Sequence, residues 1–336
     1  MSKNLIIYGY NCHNLGDDLM FAEVINKTNY KNYYFIGDPI TPRFIEKDIK
    51  FIKRGRLMPL RWKFFSDFAI IGGSVLMGTN EAQESMIEQK RAWFLLNKIF
   101  FGRNLIIGAN LGPYASKDRY LQKLSEINRF TNKWFVRDRL SKELLEEINA
   151  TNATHMPDLV MGFDTSSYTV QQNELSLAIS VTAINKDGKG AINAEQYEQE
   201  IISWIQHYLS KDYQINFISF EDKIDIPVID KIIEKLAPDT IQKINIIRNE
   251  NDTVIQTICN ASVVISTRFH CMVLAALFSK PQIIYSYSNK TKQFADYYDF
   301  TTFEVTGELT NKASSPTSFP ADSLDNVKNY ARLIEQ

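Results

Sequence analysis

From one end to the other, the chain alternates short runs of Ile, Val, Phe and Tyr with longer stretches of helical spacing. The first half reads as strands at Leu5–Tyr8, Tyr33–Ile36, Phe68–Ile71, Leu105–Gly108 and Trp134–Val136, with helices near 17–27, 83–100, 117–131 and 140–148. The second half reads as strands at Leu175–Val181, Ile215–Ser219, Ile244–Ile247, Val263–Ser266 and Ile283–Tyr285, with helices near 194–210, 226–236, 252–260, 268–279 and 291–297. Strands separated by helices are βαβ units, which build parallel sheets covered on both faces. Near residue 165 the pattern breaks into a polar link, Asp164-Thr-Ser-Ser-Tyr-Thr-Val-Gln-Gln-Asn173. The spacing therefore predicts an α/β protein of two Rossmann-like domains with parallel sheets, 1–165 and 166–336, enclosing a cleft. Ligands of such sheets bind at the carboxyl ends of the strands. The tail has helical spacing at Leu324, Val327, Tyr330 and Leu333 and is placed in the second domain.

Charge and cysteine usage exclude several classes. The net charge of −1 argues against a nucleic-acid binder held by bulk charge. Cysteines at 12, 259 and 271 are odd in number and form no CxxC, so no disulfide framework and no zinc site is expected. The apolar run after Met1 is too short for a signal peptide, and no stretch reaches the roughly 20 apolar residues of a membrane span. A cytoplasmic protein with no metal is expected.

Chemistry is expected where strands run into loops. Val263–Ser266 leads through Thr267 into Arg268-Phe269-His270, and an apolar helix follows at once. A cation and a titratable imidazole then share the first helical turn with open amides and the positive end of the helix dipole. That spot suits a small anion, and His270 can pass it a proton. The plainer alternative pairs Arg268 with a surface carboxylate. Arg137 closes the fifth strand, where it can fork a carboxylate or phosphate; its plainer alternatives are a salt bridge to Asp138 or a helix cap.

The remaining loops are Asn14-Leu-Gly16-Asp17-Asp18 after the first strand, Ile71-Gly72-Gly73-Ser74 after the third, and Gly108-Ala-Asn110-Leu-Gly112-Pro113 after the fourth. Gly16 permits a tight turn, and the paired glycines let a ligand approach the backbone. None of these is GxGxxG, GxSxG or a zincin motif, so dinucleotide binding, a serine nucleophile elbow and metal hydrolysis are unsupported. His13 falls in the first loop, His155 in a loop before Pro157, and His207 on a helix surface. Residues 51–65 interleave Lys53, Arg54, Arg56, Arg61 and Lys63 with Phe51, Ile52, Trp62, Phe64 and Phe65. Such interleaving suits peripheral contact with an anionic inner membrane surface, the alternative being a plain basic loop.

Taken in order, the loops resemble those of the polysaccharide pyruvyl transferases. The matching segments are Asn14-x-Gly16-Asp17-Asp18, Gly72-Gly73-Ser74, Gly108–Pro113, Val136-Arg137-Asp138, Pro157-Asp158 and Arg268-Phe269-His270. They span nearly the whole chain. Departures are Asp18 for Glu, Ile71 for Gly, Ala109 and Asn110 in the middle turn, and Phe269 for Leu. The resemblance implies a glycosyltransferase B-like architecture, with the acceptor on the N-terminal side and the donor on the C-terminal side. It implies transfer of a pyruvyl group from phosphoenolpyruvate to two hydroxyls of a saccharide, free or lipid-linked, as a cyclic ketal in exopolysaccharide or cell-surface glycan synthesis. Phosphoenolpyruvate is then a substrate, and no cofactor is called for. On this reading His270 is the acid and Asp17 a candidate for the hydroxyl proton. Arg137, Arg268 and Phe269 hold the donor; Asn14, Asp18, Gly73, Ser74 and Asn110 face the acceptor. Two alternatives are a nucleotide-sugar glycosyltransferase and a non-catalytic saccharide-binding protein. The first is disfavoured because no two Glu lie eight apart between 250 and 310. The second is disfavoured because binding alone needs no acid beside an anion site.

Overall fold

The computed structural model describes residues 3–53, 66–171, 175–184, 193–250, 252–306, 309 and 312–335. The chain divides into two compact units: Met1–His13, Asp17–Phe163 and Ala321–Gln336 form the first, and Asn14–Gly16 with Asp164–Pro320 form the second.

The first unit follows the order β1 (Asn4–Tyr8), α1 (Leu15–Lys27), β2 (Asn32–Ile36), β3 (Ile49–Ile52), β4 (Ser66–Ile71), β5 (Leu76–Gly78), α2 (Glu81–Ile99), β6 (Asn104–Ala109), β7 (Leu111–Tyr114), α3 (Lys117–Asn128), β8 (Lys133–Val136), α4 (Arg139–Glu147) and β9 (Ala153–His155). A 3₁₀ turn, Leu159–Gly162, closes it. Its main sheet is parallel, in the order β3-β2-β1-β4-β6-β8-β9, and β5 pairs with β7 beside it. The central strands are buried along their whole length, as β4 (Ser-Asp-Phe-Ala-Ile-Ile) and β6 (Asn-Leu-Ile-Ile-Gly-Ala) show. Helices on both faces leave such strands no polar alternation.

The second unit follows β10 (Ser176–Ser180), α5 (Ala194–Leu209), β11 (Gln214–Ile218), α6 (Asp222–Ile233), α7 (Pro238–Ile241), β12 (Ile244–Ile247), α8 (Thr253–Asn260), β13 (Val263–Ser266), α9 (Phe269–Leu277), β14 (Gln282–Tyr285), α10 (Asn289–Tyr297) and β15 (Thr302–Phe303). Its sheet is also parallel, in the order β12-β11-β10-β13-β14-β15. In both sheets the strand order reverses beside the first strand, between β1 and β4 and between β10 and β13. Open α/β sheets take ligands at such points.

Two expectations are corrected here. The tail, expected in the second domain, packs in the first as α11 (Ala321–Lys328) and α12 (Tyr330–Glu335). Val327 lies against Gly162, and the Tyr330 ring sits 5.4 Å from that of Phe135. Lys133 and Arg103 donate to the carbonyls of Leu333 and Ile334, each at 3.0 Å. These cations satisfy open carbonyls at the end of the last helix and favour its dipole. Periodicity announces such a helix but not the surface that receives it. Phe51 and Ile52, counted above with the membrane-facing side chains, belong to edge strand β3: Ile52 is buried and Phe51 tilts against Phe35. The rest of that segment, 54–65, lies outside the described residues.

Candidate functional site

In the second unit the strand register levels the carboxyl ends: Ser180 pairs with Ile218 on one side and Ser266 on the other. Ser180 Oγ accepts from the backbone amides of Thr267 (3.1 Å) and Arg268 (3.3 Å), pinning the turn after β13 to β10. Thr267 Oγ1 is 2.8 Å from the Tyr197 hydroxyl on α5. The turn therefore delivers Arg268, Phe269 and His270 to the start of α9 from a fixed support. Arg268 is the N-cap, and no side chain caps this helix.

Arg268 is held by a buried carboxylate, not a surface one. Its Nε and Nη2 both donate to Asp225 Oδ1, the first at 2.9 Å. Asp225 Oδ2 accepts from the amides of Phe220 (2.8 Å) and Glu221 (3.1 Å). Burial pushes the Asp225 carboxyl above the usual carboxylate range, against the pull of Arg268. Nη1 of Arg268 turns toward Glu221, 3.9 Å from its Oε2.

The loop before α1 belongs to this cluster. Asn14 Oδ1 accepts from the Gly16 amide (3.0 Å), its Nδ2 donates to Glu221 Oε2 (3.0 Å), and the Leu15 amide donates to the Phe220 carbonyl (2.9 Å). Gly16 lies in the tight turn that Asn14 closes, without a positive φ, and it has a second service. A Cβ there would lie 1.7 Å from His270 Nδ1, so glycine lets the imidazole rest on the backbone. Gly16→Ala is expected to displace the ring and lower turnover about 10²-fold, the scale of an ångström-sized misplacement. Activity of a folded Gly16→Ala protein within a few-fold of wild type would show that the ring's seat is immaterial.

The first unit gathers the other predicted residues into a buried network. Arg137 is 5% exposed, and its Nη1 donates to Asp158 Oδ2 at 2.5 Å. The cap of the following helix is Asp138, which accepts from the Ser141 amide, and Arg137 pairs with Asp158. Gly73 lies under the guanidinium; a Cβ there would sit 2.2 Å from Nη2. Asn110 donates to Asp138 (2.7 Å) and its amide to the Gly73 carbonyl (2.8 Å). Asn110 and Gly73 therefore build the loop, and neighbouring Ser74 is the exposed one. Asp17 lies near Gly72, whose Cβ would be 3.6 Å from Oδ1.

Asp18, expected at the acceptor, is fully buried and takes the Arg43 Nε at 2.8 Å; burial pushes its carboxyl up while Arg43 opposes. Phe269, expected on the donor, packs its ring against Phe294 and is 4% exposed. Of the other imidazoles, His207 is on the surface, His13 is exposed in its loop, and His155 ends β9, where burial pushes its pKa down. Among the described residues no three His, Cys, Asp or Glu side chains are placed to hold a metal. No described helix is long and apolar enough to cross a membrane.

Glu221 and Asp225 were missed by reading the sequence. The available signal was Ser219-Phe220-Glu221-Asp222, an acidic step at the carboxyl end of a strand.

By structure the chain is similar to UDP-GlcNAc 2-epimerase from Methanocaldococcus jannaschii, at 13% identity and a TM-score of 0.61, covering 99% of this chain and 98% of that one. It is similar to the Neisseria meningitidis UDP-GlcNAc 2-epimerase bound to UDP-GlcNAc, at 12% identity and TM-score 0.56, covering 99% and 91%. It is also similar to HepE of Anabaena in complex with UDP and glucose, at 9% and 0.53, covering 98% and 94%. These likenesses are of fold: two Rossmann-like α/β domains with parallel sheets, of the glycosyltransferase B kind. The polysaccharide pyruvyl transferase family model matches residues 14–289, and the chain belongs to that family. No curated protein matches it.

Proposed function

We infer that the protein transfers the pyruvyl group of phosphoenolpyruvate to two hydroxyls of a saccharide, forming a cyclic ketal. The observation that carries this reading is the pairing of His270 with a rigidly held Arg268 at the uncapped start of α9. Phosphoenolpyruvate is a small, dense anion. A guanidinium, a helix N-terminus and an imidazole offer it charge, directed N–H groups and a proton in one place. Protonation of its methylene carbon makes C2 electrophilic, and His270 is the acid we assign. We assign donor binding to Arg268. The burial of Arg137 on Asp158 favours a role in shaping the Gly72–Ser74 loop over a direct clamp.

Asp225 is then a positioning residue. Asp225→Asn weakens the grip on Arg268, and the apparent KM for phosphoenolpyruvate is expected to rise about tenfold, the equivalent of ~1.4 kcal/mol, with a smaller change in kcat. An equal fall in kcat and kcat/KM would assign it elsewhere.

The function is tested by incubating the full chain with phosphoenolpyruvate and methyl β-galactoside, methyl β-glucoside or methyl β-mannoside. Release of phosphate with a matching gain of a pyruvyl ketal by mass is expected. UDP-sugar consumed without phosphoenolpyruvate would favour the glycosyltransferase reading instead. The route needs no Lewis acid, so activity is expected to survive EDTA; loss restored by one divalent ion would reverse that.

A further inference from the structure

A crossover helix in a parallel sheet needs one apolar stripe, the one that covers the strands. The buried side of α2 is Glu84, Ile87, Lys90, Phe94 and Asn97. Its opposite side changes character along the helix. The first half exposes Glu81, Ser85, Glu88 and Gln89, an ordinary solvated surface. The last two turns expose Ala92, Leu95, Leu96 and Ile99, spaced i, i+3, i+4 and i+7, which makes a second apolar stripe. Ile99 is 58% exposed, and Phe101, just past the helix, is 75% exposed. Large apolar side chains gathered on one surface, rather than scattered singly, mark a contact surface.

We propose that this end of α2 docks the protein on an anionic lipid bilayer. The choice of occupant comes from charge. α2 runs back against the strands, and its last turn reaches the edge where they begin. Asn97 bonds the Arg103 carbonyl (3.1 Å) and the Asn104 side chain (2.9 Å), and a Cβ on Gly102 would lie 2.2 Å from the Ser66 carbonyl at the start of β4. Cations stand along that edge. Lys3 precedes β1, Lys31 precedes β2, Lys98 and Arg103 precede β6, and Arg129 precedes β8, whose first residue is Lys133. Asp67, near the start of β4, is fully buried and paired with Lys3 and Arg103. The exposed acids Glu46, Asp48 and Glu335 are placed by β3 and β2, away from β4 and β6, the strands that α2 packs on. In sequence, Arg54, Arg56, Arg61 and Lys63 come just before β4; the proposed face consists of described residues alone.

Cations around an apolar centre suit a bilayer of net negative charge. The apolar groups enter the interface while the cations stay at the headgroups. A second copy of the chain would set this one-signed rim against itself, which like charges oppose. Docking by this edge leaves the Gly72–Ser74 loop at the far ends of the strands, about 17–20 Å from the bilayer side. The inference is independent of the transfer reading.

Sedimentation of the full chain with vesicles tests it. Wild type is expected to pellet at low salt with phosphatidylglycerol and phosphatidylcholine in equal parts. It should bind far more weakly to phosphatidylcholine alone, or at ~1 M salt, where the Debye length falls to about 3 Å. Leu95→Gln, Leu96→Gln and Ile99→Gln together should weaken vesicle binding about tenfold or more, since each withholds a large apolar side chain. The three sites are exposed and glutamine favours helix, so thermal melts should match wild type. Lys98→Glu leaves every apolar side chain in place and should weaken binding roughly tenfold. A triple variant that binds like wild type moves docking off α2 and overturns the proposal. So does a wild type that ignores the vesicles or binds neutral ones equally. Sedimentation equilibrium without lipid supplies the remaining arm. Monomers of both proteins support the bilayer, whereas a wild-type dimer that the triple variant abolishes gives the face to a second copy and overturns it.

Discussion

Folded His270→Gln protein is expected to turn over about 10²–10⁴-fold more slowly than wild type, with its affinity for phosphoenolpyruvate within a few-fold. Glutamine can fill the imidazole's place against Gly16 but cannot deliver a proton to carbon. The ring is half-buried, and its neighbour Phe269 anchors the helix start in the core through Phe294. The substitution should therefore leave α9 in place, and circular dichroism and thermal melting should match wild type. The decisive comparison is single-turnover phosphate release. A His270→Gln protein that releases phosphate at the wild-type rate would move the acid to another residue.

Arg137→Ala is expected to destabilise the protein by about 3–5 kcal/mol, because it strands a buried carboxylate without its cation. Asp158 is fully buried, and its other oxygen accepts from the Val160 amide at 2.9 Å, so the side chain has no ready route to solvent. The same cut removes the guanidinium that packs on Gly73, whose carbonyl receives the Asn110 amide. Replacing both partners, Arg137→Met with Asp158→Leu, should recover much of the loss, since two apolar side chains leave no orphaned charge. Denaturant melts of the two single variants and the double give the coupling. An Arg137→Ala protein as stable as wild type, but with a raised KM for phosphoenolpyruvate, would return Arg137 to the donor.

The parallel α/β class was legible in the sequence because it is written locally. A strand such as Phe68–Ile71, buried on both faces, must be continuously apolar, and its crossover helix must show a stripe. The weak elements were not legible. β3, β5, β7, β9 and β15 are edge or accessory strands of two to four residues, too short to carry a period. The loops at the strand ends could be named in order from the sequence, and His270 and Arg268 could be put on one helical turn by adjacency alone. What adjacency cannot supply is a partner. That Arg137 meets Asp158, Asp18 meets Arg43 and the Gly16 backbone meets an imidazole is decided by chain segments tens to hundreds of residues away. The tail shows the same division: four apolar residues at helical spacing specify an amphipathic helix, but the first unit supplies Gly162, Phe135, Arg103 and Lys133 to receive it. Periodicity, turn chemistry and charge type are properties of neighbours along the chain, so the sequence determined them. Burial and pairing belong to groups that only folding brings together, and folding is what turns Glu221 and Asp225 from two acids after a strand into buried partners of Arg268.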